Sequence, residues 1–474
     1  MKKRFLLFIF ALQTVLLSIA QLSEQPDKNL VYKGQQLQLM DTTCLLHAFK
    51  NGQFSGHLRY FFMSTQNENN LTDFYSNAIG GGIRYETARF HNFQFALSDF
   101  TIFNIGSSDF TRPDSLTGQY SRYEIGHFDI NNPGNTKELN RLEELYLKYN
   151  FNHSYIKAGR QYINSTFINL QDGRMSPTTV SGIWAEVNEI KKLKIQVGWL
   201  WGISPRSTTT WYQPGKSIGV YPVGVNANGA KSGYANNVES SGIGIIQLHT
   251  ALSKKVKLLV ADMFVENVFN ATMLQIDFNL PLKENSVLFA ALQTIKEFAV
   301  NDGGNVDQSK TYFLKGSQAF TFGARLGWKN EQWEASLNYN RITKNGRYLA
   351  PREWGIDPFF TFLPRERNDG FGNANAIMGK VNYTLSGLGL KTSLAAGYYD
   401  LAEVKNYTFN KYGMPRYIQL NADIRYVFKN TFKGLEAQFL LVEKINKGNT
   451  YSNSKYIINK VNMQLYNVIL NYHF

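Results

Sequence analysis

Cysteine, proline and long apolar runs are all scarce in this chain. Its 474 residues include one cysteine, Cys44, so no intrachain disulfide can stabilise the fold. After residue 20 no segment approaches about 18 consecutive apolar residues, which excludes a helical membrane protein. The net charge is +14 at pH 7, but several basic residues cluster in short connecting turns and no nucleic-acid-binding motif accompanies them. We therefore expect no nucleic-acid partner.

Motifs for catalysis and metal binding are missing as well. The seven histidines are scattered, and none has a metal-binding spacing such as His-Glu-x-x-His. No nucleophile motif of a hydrolase is present. The segment Asn368-Asp369-Gly370-Phe371-Gly372-Asn373 offers oxygen ligands for calcium, but the ligand set is incomplete and an external turn explains it as well. The sequence predicts neither an enzyme nor a cofactor.

The amino terminus predicts export. Lys2, Lys3 and Arg4 form a basic start, residues 5–17 are almost entirely apolar, and residues 18–20 (Ser-Ile-Ala) form a small-x-small cleavage site. A membrane anchor is the alternative, but the apolar run is short for a bilayer-spanning helix. We expect a cleavable signal peptide at residues 1–20, then a periplasmic segment at 21–53 and a barrel at 54–474.

What the chain does contain is aromatic residues, at 14% of the total, in segments that alternate apolar and polar side chains. This period of two over about ten residues is typical of transmembrane β-barrels. Eighteen segments qualify as strands: 54–64, 74–88, 93–105, 142–151, 154–162, 180–188, 192–203, 242–251, 255–266, 269–280, 286–297, 317–328, 332–342, 374–385, 388–400, 417–428, 433–443 and 463–474.

The connections between these segments alternate in length. Short connections such as 152–153 and 386–387 alternate with long ones such as 106–141 and 204–241, apart from a short external one near Asn267. Short periplasmic turns and long external loops are the asymmetry of an outer-membrane barrel. The sequence therefore predicts an all-β fold, an antiparallel transmembrane barrel of eighteen strands.

Alternation also assigns the faces of the strands. In 332–342, Trp333 and Leu337 face lipid and Glu334 faces the lumen. The opposite register would place an arginine in lipid in two other strands, at a cost of roughly 2–4 kcal/mol per base at the bilayer midplane. By this argument five bases point into the lumen: Arg59, Arg84, Arg325, Lys380 and Arg425. They either guide anions or pair with lumenal acids such as Glu86, Glu334, Asp423 and Glu436.

The last strand has the same pattern up to the carboxyl terminus. Tyr466, Val468, Leu470, Tyr472 and Phe474 share one face, and Asn467, Asn471 and His473 share the other. This strand resembles the C-terminal sorting strand of Gram-negative outer-membrane barrels. The resemblance implies that the barrel-assembly machinery recognises the strand that ends in Phe474.

Three internal segments carry a further resemblance. They are Gly80 to Thr87 (GGGIRYET), Leu142 to Leu147 (LEELYL) and Ala158 to Gly182, with AGRQ, Asn169, DGRMSP and a final Ser-Gly. Together these segments resemble OprD-type outer-membrane porins. The resemblance implies an inward-folded third loop that forms the narrowest point and carries Asp172 and Arg174. It implies that lumenal bases such as Arg84 guide carboxylates. Arg160 lies on the outward face by strict alternation, so a lumenal position requires a bulge or a site above the bilayer.

The resulting interpretation is a porin in the Gram-negative outer membrane. It would be surrounded by outer-membrane lipid and would pass small hydrophilic, carboxylate-bearing solutes by passive diffusion. The alternative is a barrel plugged by its loops that acts as a surface-binding or structural protein.

Overall fold

The computed structural model describes residues 41–68, 70–137, 139–171, 173–283 and 285–474. The predicted signal peptide, most of the 21–53 segment and Asp172 lie outside these residues. Within them, no helix is long and apolar enough to cross a membrane.

Eighteen antiparallel strands form a closed barrel. They are β1 Gln53–Gln66, β2 Phe74–Glu86, β3 Phe93–Asn104, β4 Leu139–Phe151, β5 Ser154–Gln161, β6 Thr179–Val187, β7 Leu193–Ser204, β8 Ile243–Ala251, β9 Val256–Val265, β10 Phe269–Pro281, β11 Val287–Ala299, β12 Gln318–Lys329, β13 Trp333–Ile342, β14 Ala374–Leu385, β15 Leu390–Asp400, β16 Tyr417–Val427, β17 Leu435–Asn446 and β18 Met463–His473. Each strand pairs with its neighbours in the chain, and β1 pairs with β18 to close the wall. The predicted strand number and fold class are confirmed.

Nine external loops connect the strands on one side of the barrel. They are L1 67–73, L2 105–138, L3 162–178, L4 205–242, L5 266–268, L6 300–317, L7 343–373, L8 401–416 and L9 447–462. L5 has three residues and turns at Asn267 in the left-handed region, with φ 62°. The connections on the other side are short, which confirms the predicted asymmetry.

Wall side chains divide between lipid and lumen as the alternation predicts. Trp333 and Leu337 are exposed on the outer surface, whereas Arg325, Lys380 and Arg425 line the inner cavity. The barrel closes at its carboxyl end through two backbone bonds. Gly56 N donates to Phe474 O at 2.7 Å, and Phe474 N donates to Gly56 O at 3.1 Å.

One bulge in β4 changes which side chains enter the lumen. Ser98 of β3 faces Glu144 and Asp99 faces Leu142, so Glu143 has no partner of its own in the ladder. An extra residue reverses the alternation at that point. As a result both Glu143 and Glu144 are buried inside the wall.

Small helical elements lie outside the wall strands. The helix α1, Leu45–Lys50, precedes β1, and the short helix α2, Pro214–Ser217, lies in L4. The two-residue strands Asp41–Thr42 and Arg89–Phe90 pair in parallel near the start of the barrel.

Long loops fill much of the upper lumen and form two apolar clusters. The large cluster joins L3 to L9 to strands of the wall and includes the fully buried Trp354. The small cluster joins L2 and L3 to β1, β2, β3, β4, β17 and β18 and includes Phe128 and Met175. Because Phe167 belongs to the large cluster and Met175 to the small one, L3 crosses from one to the other.

Candidate functional site at the narrowest part of the lumen

L7 runs across the inner face of the wall and is bonded to six strands. Its backbone accepts hydrogen bonds at Pro358 from Gln293, at Thr361 from Tyr399, at Pro364 from Gln419 and at Arg365 from Lys444, all between 2.7 and 2.8 Å. Thr361 N donates to Asn340 Oδ1 at 3.0 Å, and Arg365 donates to Asn467 Oδ1 at 2.6 Å. These bonds hold the loop inside the barrel from β11 to β18.

L3 packs against L7 within the lumen. Asn169 N donates to Trp354 O at 3.1 Å, and Asn169 Oδ1 accepts from Ile356 N at 3.0 Å. Thr166 N donates to Gln247 Oε1 of β8 at 2.7 Å. L3 is therefore fixed to the wall on one side and to L7 on the other.

Four arginines lie where L3, L4 and L7 meet between the two apolar clusters, and we call this group the arginine seam. It consists of Arg174 of L3, Arg206 of L4, and Arg365 and Arg367 of L7. Gln171 Oε1 accepts bonds from Arg206 and, at 3.3 Å, from Arg367. Arg365 donates to Gly173 O at 3.3 Å.

Burial and mutual repulsion shape the chemistry of the seam. Burial, together with the nearby charges of Arg206 and Arg352, lowers the pKa of Arg367 to about 10. Burial is also the main cause that lowers the pKa of Arg174 and of Arg206. Guanidinium groups crowded in this way favour the entry of an anion.

Carboxylates of L7 lie next to the seam but already accept other bonds. Glu353 Oε1 accepts from Gly219 N at 3.0 Å and from Tyr221 N at 2.9 Å. Asp357 accepts from Asn368 N at 3.0 Å. Burial raises the pKa of Glu353 and of Asp357 and raises that of Glu366 to about 8. These acids therefore offset the arginine charge only in part.

Close contact between L2 and L3 seals one side of the seam. A Cβ atom added to Gly126 would lie 2.1 Å from Nε of Arg174, so a larger residue here would displace the Arg174 side chain. Arg59 and Arg174 line the same narrow crevice, of about 10 Å³, between L3 and the wall.

Below L7 the lumen opens into a cavity of about 720 Å³, which we call the vestibule. Arg325, Lys380 and Arg425 all line it. The Arg325 guanidinium carbon lies 4.6 Å from the centre of the Phe360 ring, and its Nε donates to Asn338 Oδ1 at 2.8 Å. Arg425 pairs with Asp423 at 3.1 Å. Three of the five predicted lumenal bases thus share one space.

The other two predicted bases lie on β1 and β2, next to β18. Arg59 is buried, with its guanidinium carbon 5.3 Å from the Phe61 ring centre. Arg84 is held at 2.9 Å by both Glu144 and Glu86, and it also donates to Tyr146 OH at 2.8 Å. Arg84 lines neither the crevice nor the vestibule.

Arg160 does not enter the lumen. The β5 register continues without a shift through Arg160, which pairs opposite Leu145 on the outward face. Its guanidinium carbon lies 4.5 Å from the Trp211 ring in L4. The β5 register therefore shows no bulge at Arg160; the neighbouring register shifts lie at Glu143 in β4 and at Trp201 in β7.

Sequence reasoning missed Arg141, Arg206, Arg365 and Arg367. Three of them lie in long loops without periodicity, where no pattern distinguishes a lumenal base from a solvated one. Among the described residues no group of three or more His, Cys, Asp or Glu side chains is arranged to hold a metal ion. Asp369, in the segment considered for calcium, instead pairs with Arg352 at 2.9 Å.

A closed barrel of eighteen strands with arginines lining its inner cavity has the architecture of a transmembrane channel. The family model described as "outer membrane porin, OprD family" matches residues 117–349, nearly half of the chain. No curated protein sequence matches the chain.

Several solved porins share the fold at low sequence identity. OccK9 (OpdG) of Pseudomonas aeruginosa gives a TM-score of 0.70 at 12% identity, over 90% of this chain and 99% of that one. OpdK of the same organism, crystallised with vanillate, gives 0.67 at 12% identity over 90% and 99%. OccAB1 of Acinetobacter baumannii gives 0.67 at 13% identity over 95% and 99%.

The family match over residues 117–349, together with this fold, makes the chain similar to OprD-family outer-membrane porins. The resemblance inferred from the sequence is confirmed. The function that these matches indicate is that of an outer-membrane porin.

Proposed function

We propose that this porin passes small carboxylate-bearing solutes and that the arginine seam selects them. The observation that carries the proposal is that Arg206 and Arg367 both donate to Gln171 Oε1, while Arg174 lines the same crevice as Gln171. A guanidinium group binds a carboxylate through two parallel hydrogen bonds, and low local dielectric strengthens the pair. The solute would replace repulsion among these arginines with attraction.

The vestibule supplies the next binding positions on the periplasmic side. Arg325, Lys380 and Arg425 would accept the carboxylate after it leaves the seam. Asp423, which lies beside Arg425, weakens that position and so favours release. Several weak sites in series allow a solute to enter and to leave, as conduction requires.

The remaining predicted residues have different supporting roles in this proposal. Arg59 would add positive charge beside Arg174. Arg84, held by two carboxylates, would contribute mainly to a rigid wall. The family resemblance extends the constricting loop to Asp172, which lies outside the described residues.

The alternative, a plugged barrel that binds partners at the surface, is favoured by one observation. The two apolar clusters together join eight loops, L2 to L9. A folded barrel that carries no current would support this alternative.

We also propose how the protein reaches its membrane. Residues 1–20 would be removed as a signal peptide during export. The strand β18 would then present Phe474, exposed on the outer surface, to the assembly machinery. Deletion of Phe474 should lower the amount of folded barrel in outer-membrane fractions without changing the amount exported. An unchanged folded fraction would argue against this role.

The proposed selectivity is tested by current through single molecules in a planar bilayer. With potassium chloride as the base electrolyte, added carboxylates should block the current in a saturable way and neutral sugars of similar size should not. R174Q and R206Q should weaken the block. The matched control is R112A, because Arg112 lies in L2 with its side chain 84% exposed. Equal block by sugars and carboxylates would contradict the proposal.

A further inference from the structure

Arg141 is bonded to L3 and L4, two of the loops that carry the arginine seam. It is almost fully buried near the external end of β4. One terminal nitrogen donates to Ser176 Oγ at 2.8 Å and to Pro177 O at 2.6 Å, both in L3. The other donates to Pro205 O at 3.1 Å and to Thr208 O at 3.4 Å, both in L4.

We infer that Arg141 is a positioning residue that holds L3 and L4 together and so sets the geometry of the arginine seam. The inference rests on the proposed function of that seam. Arg141 itself would not touch the solute, because its terminal nitrogens already donate to the loops and to Glu143.

The residues that Arg141 bonds lie close in sequence to arginines of the seam, so Arg141 fixes the positions of those arginines. Ser176 is two residues after Arg174, and Pro205 immediately precedes Arg206. In addition, Arg206 N donates to Thr178 Oγ1 at 3.1 Å, which links L3 and L4 a second time. A displacement of either anchor would therefore move an arginine of the seam.

We call the bonds from Arg141 to L3 and L4 the clamp. The bulge in β4 places a counter-charge beside Arg141 and so makes the clamp electrostatically possible. A buried guanidinium is strongly unfavourable without a counter-charge and a full set of acceptors. The bulge turns Glu143 inward, and its Oε1 pairs with Arg141 at 2.7 Å. Tyr162 OH, at the start of L3, donates to the other oxygen of Glu143. Thus Glu143 both neutralises Arg141 and contacts the same loop.

The geometry also separates this role from a general role in stability. The contacts of Arg141 in L3 and L4 come from a planar fork that lysine cannot reproduce. R141K keeps the positive charge beside Glu143 but loses most of the loop contacts. The paired variant R141Q/E143Q removes both charges and leaves no buried ion without a partner. S176A removes a single contact in L3 and keeps the ion pair.

The test records single-channel conductance, open-channel noise and reversal potential for these variants, together with R174Q and the control R112A. Folding is checked by the heat-dependent shift in gel mobility. We expect R141Q/E143Q and R141K to fold, to show severalfold higher open-channel noise, and to shift the reversal potential toward cations in the same direction as R174Q. S176A should show the same changes to a smaller extent.

Two results distinguish the clamp from the proposed function. If R174Q changes selectivity while R141K and S176A keep the noise and selectivity of the wild type, the clamp is wrong and the seam stands. If R174Q leaves selectivity unchanged, the proposed function of the seam fails. In that case unchanged noise in R141K also overturns the clamp. Increased noise would show that the clamp holds L3 and L4 in position without affecting selectivity.

Discussion

Glu143 and Glu144 are consecutive in β4, yet both carboxylates point into the lumen and bind different arginines. Glu143 pairs with Arg141 at 2.7 Å, and Glu144 pairs with Arg84 at 2.9 Å. The bulge at Glu143 makes this possible, because in a regular strand one of the two would face lipid. One irregularity thus supports both the loop clamp above and the rigid wall below.

The ion pair between Glu144 and Arg84 predicts an effect on the stability of the barrel. E144Q should lower the free energy of unfolding by about 1–3 kcal/mol, because Arg84 is left partly unpaired while Glu86 and Tyr146 still hold it. Urea unfolding in lipid vesicles, followed by tryptophan fluorescence, measures this change. The matched control is E331Q, since Glu331 lies exposed in a periplasmic turn and should have almost no effect. Equal effects of the two variants would contradict the account.

The vestibule bases predict a change in ion selectivity. R325A and R425A should each shift the reversal potential toward cations in a salt gradient, because each removes positive charge from the same cavity. R425A should have the larger effect, since it also leaves the Asp423 carboxylate without its ion pair. If neither variant moves the reversal potential relative to R112A, these arginines are structural.

Trp354 predicts how far the loops limit conductance. Its ring is fully buried, its Nε1 donates to Ser217 Oγ at 2.9 Å, and its carbonyl accepts from Asn169 of L3. W354A should remove about 3–5 kcal/mol of stabilising free energy from side-chain packing. This loss should loosen L7 without unfolding the barrel. We expect larger and noisier single-channel currents.

W354F is the matched variant for this position. It keeps an aromatic ring but loses the bond to Ser217, which contributes about 1 kcal/mol. Its conductance should stay close to that of the wild type. A wild-type current in W354A would show that L7 does not narrow the channel.

Lys411 of L8 predicts a pH dependence. Its Nζ lies 4.6 Å and 4.9 Å from the ring centres of Tyr234 and Tyr312 and has no hydrogen-bond partner among the described residues. Burial, offset in part by Asp369 and Glu353 and reinforced by Arg347 and Arg352, lowers the pKa of Lys411 to about 8.

The sign of this dependence follows from proton binding. Between pH 8 and the usual pKa of 10.5, the unfolded chain binds more protons at Lys411 than the folded chain does. Stability should therefore rise with pH across this window, by no more than about 3 kcal/mol. K411M should lose this rise. We would measure denaturant midpoints of both proteins from pH 7 to 10.5; parallel curves would contradict the prediction.

The sequence alone predicts the wall well because lipid imposes a strict rule on each strand. Alternation in 332–342 and the cost of placing Arg325 or Arg425 in lipid fix both the strand and its face. The same rule predicts Arg160 on the outward face, where it lies over Trp211. It does not anticipate the bulge in β4, since two adjacent glutamates give no sign of which one is the extra residue.

The site is less accessible to sequence reasoning. Arg206, Arg365 and Arg367 lie in L4 and L7, which have no period and whose shape depends on contacts between loops distant in the chain. Gln171, for example, meets Arg367 across 196 positions of sequence. Only Arg174 was found, and the family resemblance rather than a physical pattern indicated it.

The most direct test of the central claim is the single-channel current of the purified protein in a planar bilayer under a salt gradient, with and without carboxylates. The account predicts discrete current steps, a reversal potential on the anion-selective side, and saturable block by carboxylates that weakens in R174Q and R206Q. A folded barrel without current, or a current that prefers cations and ignores carboxylates, would contradict it.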